Sequence, residues 1–221
     1  MLFSRRLRTV FDTDSDPDSD RFSWQPQHRA QPHFAFASLY PSCYYRYVSN
    51  LLQNIHSPEH VKQVPEAQLP TLAAELRNVI LKTVSKNGGH LASNLGAVEL
   101  TIELLRIFSP PADKIIWDVG HQSYSWKLLT GRYELFHTLR KLNGISGFPK
   151  PHESIYDASI AGHAGTALST TMGFAAGRDR KNENSHVVAI IGDASITNGI
   201  SLEALNNLED TQSKEIGRAH V

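Results

Sequence analysis

Val187 to Ile191, VVAII, is apolar without a break, and Lys114 to Val119, KIIWDV, is a second apolar run. Short runs of this kind are strands buried on both faces of a parallel sheet. Other segments repeat at helical spacing. Leu69, Leu72, Leu76, Val79, Ile80 and Val84 fall at steps of three and four, which makes one helix face. Asn87-Gly88-Gly89 should stop that helix. A second helix, capped by Ser93 or Asn94, carries Val98, Leu100, Ile102, Leu104, Leu105 and Ile107 nearly all round, so it should be buried. Ser123 to Gly147 reads as helix, then loop. Small and apolar residues including Leu168, Met172, Ala175 and Ala176 form another helix, and Ser201 to Leu208 the last. Pro58, Pro65, Pro70, Pro110 and Pro111 punctuate the chain. The order helix, helix, strand, helix, loop, helix, strand, helix predicts an α/β fold, a mostly parallel sheet flanked by helices.

Both strands end in glycine plus a polar residue, Gly120-His121 and Gly192-Asp193. Ligands of open α/β sheets gather outside the carboxyl ends of the strands, so the two polar residues should face one crevice. Gly192 permits a tight turn. Asp193 offers a hard carboxylate oxygen suited to Mg²⁺, an ion usually held together with phosphates. The helix near Ser201 would add N-terminal amides as phosphate donors. His90 stands in the loop after Gly88 and Gly89, just before a helix start. Gly162-His163-Ala164-Gly165 is a small-residue turn whose amides could approach a diphosphate. Each feature alone is equally an ordinary turn or a hydrogen-bonded histidine.

Composition narrows the picture. The 221 residues carry 22 basic and 22 acidic side chains, which points to neither nucleic acid nor an acidic membrane surface. A single cysteine, Cys43, rules out an internal disulfide framework and fits a reducing compartment. No stretch approaches the ~20 apolar residues of a membrane span. Residues 1–50 differ from the rest. MLFSRRLRTV is basic, DTDSDPDSD is acidic, and no hydrophobic period holds. They are expected to be a disordered or non-homologous extension. The acidic cluster argues against a transit peptide, and no apolar core suggests a secretory signal.

Taken together, GGHLASNLGAVELT, KIIWDVGHQSY, LTGR, GISGFPK, GHAGTALSTTMGFAAGRD and VVAIIGDASITNG closely resemble the 1-deoxy-D-xylulose-5-phosphate synthases, transketolase-like enzymes. The resemblance runs over residues 51–210 and implies the N-terminal part of a thiamine diphosphate-binding domain. It implies a transferase that condenses pyruvate with glyceraldehyde 3-phosphate, losing CO2, to supply isoprenoid, thiamine and pyridoxal phosphate synthesis. It implies thiamine diphosphate and Mg²⁺ as cofactors, a homodimer, and a bacterial cytoplasmic or plastid setting. By resemblance, His90 is an active-site histidine that handles protons, and His121 lies near the diphosphate. Gly162, His163, Ala164 and Gly165 form the cofactor-contacting turn. Asp193 binds magnesium, and Ala194 and Ser195 flank the diphosphate. His28, His33, His56, His60, His137, His152, His186 and His220 are expected to be structural.

The chain departs from the family pattern in three ways. Ala194 replaces the usual glycine and makes a positive φ costly there. Ala164 replaces the usual serine and removes a hydroxyl. Family members are roughly three times longer, and their magnesium-completing asparagine and cofactor-activating glutamate lie farther on. The resemblance therefore implies half a cofactor site, inactive by itself. Residues 211–221 fit no family pattern, and EIGRAHV can be encoded by a stretch like a sequencing adapter, so this tail is expected to be artefactual. The competing readings are another transketolase-like thiamine enzyme, disfavoured by DVGHQSY and GISGFPK, and a non-catalytic remnant or binding fragment.

Overall fold

The computed structural model describes residues 50–208 and 217–220. All but the last residue of the extension expected over residues 1–50, and most of the tail expected over 211–221, lie outside the described residues. Helices α1 (Pro58–Gln63), α2 (Leu69–Asn87), α3 (Ala92–Gly96) and α4 (Val98–Ile107) precede strand β1 (Lys114–Trp117). Then come α5 (Tyr124–Lys127), a long irregular connection, α6 (Ala167–Lys181), β2 (Val187–Ile191), α7 (Asp193–Ile196), α8 (Gly199–Leu208) and β3 (Gly217–His220).

The strands form a parallel sheet in the order β1-β2-β3. Lys114 lies opposite Val187 and Trp117 opposite Ile190, so β1 and β2 end within one residue of each other. Gly217 to His220 run beside Val188 to Ile191. Side chains alternate across a strand, and here both sides are apolar. Ile115, Trp117, Val188 and Ile190 join a large core with Leu72, Leu76, Ile80, Ile102 and Leu105 of α2 and α4. Ile116, Val187, Ala189 and Ile191 join a smaller core with Leu168 and Ala175 of α6 and Ala204 of α8. Burial on both faces explains the unbroken apolar runs and bears out the α/β expectation.

The helix expected on Leu69 to Val84 forms over Leu69–Asn87 and buries Leu72, Leu76, Ile80 and Val84. Three details differ from expectation. The second helix is two, parting at Ala97, because Gly96 weakens the junction. Neither Ser93 nor Asn94 caps it; Asn94 lies inside α3 with no exposed surface. A short helix, α7, also intervenes between β2 and α8.

Candidate active site

The site lies beyond the carboxyl ends of β1 and β2. β1 leads through Asp118, Val119 and Gly120 to His121. The backbone reverses sharply: the Gly120 N–H donates to the Asp118 carbonyl at 2.6 Å. Val119, between them, has φ 57°, a conformation that β-branched residues rarely adopt. Strain of this kind is held only where the surroundings over-determine it. Gly120 continues the turn at φ 78°, and a Cβ there would lie 2.6 Å from Pro149 Cδ and 2.7 Å from Ala161 Cβ. The FPK loop is thereby pressed onto the GH turn.

Two of the expected histidines meet. The rings of His90 and His121 are 5.2 Å apart at 66°, and Phe148 lies 6.1 Å from His90. Burial pushes the His121 imidazole below its ordinary pKa, and neighbouring His90 lowers it further, with Asp118 opposing. His121 is therefore neutral at pH 7, one ring nitrogen a donor and the other an acceptor. Its Nδ1 is buried and has no partner among the described residues.

Beneath the pair sits Asn94. Its Nδ2 donates to the His90 carbonyl at 2.6 Å and to the His121 carbonyl at 2.7 Å. Its Oδ1 accepts from the Tyr124 N–H at 2.8 Å. The Tyr124 hydroxyl in turn accepts from the His90 N–H at 3.4 Å.

Asp118 joins β1 to the Gly162–Gly165 turn. Its carboxylate, 1% exposed, accepts from the Gly165 N–H and the Ala167 N–H, both at 3.1 Å. A carboxylate here suits the positive end of α6. It also occupies those two amides, so they are directed at the protein's own carboxylate. Gly162, His163 and Ala164 stay exposed. Gly165 packs against Asn198: a Cβ there would lie 2.8 Å from Asn198 Cγ. The Ser201 hydroxyl donates to the Ser195 carbonyl at 2.7 Å and reaches the Gly165 carbonyl at 3.4 Å. The turn at 162–165 and the one at 193–195 are thus tied together by Asn198 and Ser201.

Asp193 is exposed as the first residue of α7, and its Oδ1 accepts from the Ala194 N–H at 2.7 Å. Ala194 is helical, so no positive φ is needed where the family pattern has glycine. The α8 amides foreseen as phosphate donors are partly engaged: Asn198 accepts from Ile200 N–H through Oδ1 at 3.2 Å and from Leu202 N–H through its carbonyl at 3.1 Å. Among the described residues no group of three or more His, Cys, Asp and Glu converges on a metal position, so Asp193 stands as a single carboxylate.

The loop carrying GISGFPK is held from below by buried charge. Arg132 donates to Asp157 at 2.6 and 2.9 Å, and Trp126 Nε1 donates to it at 2.9 Å. Lys127, without exposed surface, pairs with Glu153 at 2.8 Å. Glu153 also accepts from the Ser146 N–H, and Asp157 from the Lys150 N–H. Sequence reading passed over this cluster, along with the roles of Asn94, Asp118 and Asn198. Asp118 lies within the DVGH motif, but nothing local says its carboxylate turns toward a segment 47 residues on.

Among the structures this chain resembles are the transketolases of Pichia stipitis and Campylobacter jejuni, at TM-scores of 0.60 with 18% and 21% identity. They cover 71% and 70% of this chain, and it covers 27% and 28% of theirs. This likeness shows the fold. Residues 52–216 match the family model described as 1-deoxy-D-xylulose-5-phosphate synthase. The chain belongs to that family. The 1-deoxy-D-xylulose-5-phosphate synthase of Dictyoglomus thermophilum is 56% identical over 158 residues, 72% of this chain and 26% of that protein. The synthase of Pelotomaculum thermopropionicum is 54% identical over 160 residues, 72% of this chain and 25% of that protein. The chain spans about a quarter of the length of these synthases. No helix among its described residues is long and apolar enough to cross a membrane.

Proposed function

We propose that this chain supplies the N-terminal part of the thiamine diphosphate-binding domain of a 1-deoxy-D-xylulose-5-phosphate synthase. The reaction joins pyruvate to glyceraldehyde 3-phosphate with release of CO2, in a cytoplasmic homodimer. The observation that carries the reading is the 56% identity to a named synthase over a segment of 158 residues, against 18–21% to the transketolases of the same fold.

The residues present fit the cofactor in part. Asp193 offers a hard oxygen at the end of β2 for Mg²⁺, which commonly takes one or two carboxylates and completes its shell with phosphate oxygens and water. His121 brings a buried, unpartnered Nδ1 to the end of β1. Gly162 has open space where a Cβ would project, so its backbone can be approached closely. The amides of Gly165 and Ala167 are not available to a diphosphate while Asp118 holds them. The cofactor, when bound, supplies a nucleophilic carbon and a sink for electrons. His90, exposed beside neutral His121, is placed to hold and pass a proton. Ala164 leaves recognition at its position to the main chain.

A chimaera tests the reading. Residues 52–208 of this chain replace their counterparts in the Dictyoglomus thermophilum synthase, and product formation from pyruvate and glyceraldehyde 3-phosphate is followed. Activity is expected, with loss of at least about 100-fold in the His90→Ala chimaera, the usual scale of general acid–base catalysis. A folded chimaera that turns over ketose phosphates instead of pyruvate would overturn the proposal.

A further inference from the structure

We propose that Asn94 is a positioning residue that sets His90 and His121 as an interacting pair, through one side-chain amide shared between their two backbone carbonyls. This rests on the reading of His90 and His121 as site residues. The two histidines are 31 positions apart and belong to different segments, a loop after α2 and a turn after β1. Their neighbourhood needs a tie. The Asn94 amide has two N–H groups, and each is used once, at 2.6 Å on the His90 carbonyl and 2.7 Å on the His121 carbonyl. Its oxygen is used by Tyr124, so every donor of this fully buried side chain and its acceptor are engaged. A buried amide satisfied on all sides has one orientation, because rotation would leave polar groups unpaired. No aliphatic side chain can do this, and aspartate would present two acceptors to two carbonyls.

The consequence is electrostatic. Rings 5.2 Å apart repel as two cations, so a charge on His90 disfavours a proton on His121. Both rings charged together is the disfavoured state of the pair. Around it, His121 faces His90 and Asp118. His90 faces His121 and Phe148, with the Tyr124 hydroxyl against its backbone.

The test follows ring titration by NMR in the 221-residue chain, without cofactor or substrate. A negative result therefore strikes the pairing and leaves the synthase reading standing. In the unaltered chain, couplings across hydrogen bonds are expected from Asn94 Nδ2 to the carbonyl carbons of both His90 and His121. Absence of either overturns the shared amide. In His90→Gln the titration midpoint of His121 is expected to move up, since a neighbouring cation is removed. In Asn94→Ala it is expected to move up too, because the His90 loop is released. A purely structural role for Asn94 would lower the melting temperature and leave the His121 midpoint of the folded molecules where it was, which would refute the proposal. If Asn94→Ala does not fold, the two couplings and the His90→Gln shift decide the question.

Discussion

Asp118→Asn changes one oxygen to nitrogen and should disconnect the Gly162–Gly165 turn from β1. The carboxylate accepts from Gly165 and Ala167 at 3.1 Å each, 1% exposed, at the start of the 15-residue helix α6. Asparagine keeps one acceptor and turns an N–H2 group toward the other backbone N–H. A hydrogen bond to a charged group contributes about 1.5–3 kcal/mol, and a buried donor left unmet costs about 1–3 kcal/mol. Loss of the charge at the helix N-terminus removes about 0.3–1 kcal/mol more. Relief of desolvation offsets part of this, since an amide is easier to bury than a carboxylate. The net expectation is a loss of about 2–4 kcal/mol. For a domain of this size that is a fall in Tm of roughly 4–16 °C, at about 2–4 °C per kcal/mol. Urea unfolding followed by circular dichroism measures it. Asp118→Ala should lose at least as much, because both amides are then unmet. If Asp118→Asn unfolds within about 0.5 kcal/mol of the unaltered chain, the range of ordinary surface changes, the carboxylate does not hold the turn.

Gly120→Ala should destabilise by about 1–3 kcal/mol through overpacking against Pro149 and Ala161, beyond the backbone strain at φ 78°; equilibrium unfolding measures it, and a neutral result would mean the FPK loop is not seated there. Asp157→Ala should cost about 3–5 kcal/mol, because Arg132 loses a buried partner; a loss under 1 kcal/mol would show that water reaches the cluster. The same carboxyl predicts an acid dependence. Burial opposes its charge, but the hydrogen bond and charge of Arg132, the Lys150 N–H and Lys127 hold its pKa below the ordinary aspartate range. A group depressed in the folded state stabilises above its unfolded pKa of about 3.9 and loses that contribution as pH falls toward the folded value. Stability measured from pH 5 downward should fall less steeply in Asp157→Asn than in the unaltered chain, and equal slopes would exclude Asp157 as a source of acid sensitivity.

The two strands and the long helix α2 were legible because their patterns are local. Val187 to Ile191 is buried on both faces, and period-3.6 spacing marks the face of α2 that meets the core. The parallel pairing of β1 with β2, which sets the ends of both strands on the same side of the sheet, followed from the same pattern. Frame residues were not legible. Asn94 resembles a helix cap in sequence, and only tertiary packing turns it toward two carbonyls 27 and 4 positions away. No local pattern marks Lys127 and Arg132 for burial; it depends on Glu153 and Asp157 in a loop without period. The apolar run continues to Val119, whereas β1 stops at Trp117 and the chain reverses before His121.

Asn94 holds the histidine segments by their carbonyls, and Asp118 holds the glycine turn by its amides. These are main-chain groups, present whatever side chain the held positions carry. The imidazoles of His90 and His121 are therefore removable without dismantling their support. Frame and reactive groups can change independently, so substitutions at the histidines probe chemistry with little confusion from misfolding. The same separation gives a lineage room to exchange reactive side chains on an inherited scaffold, the kind of modularity that lets one fold host several reactions.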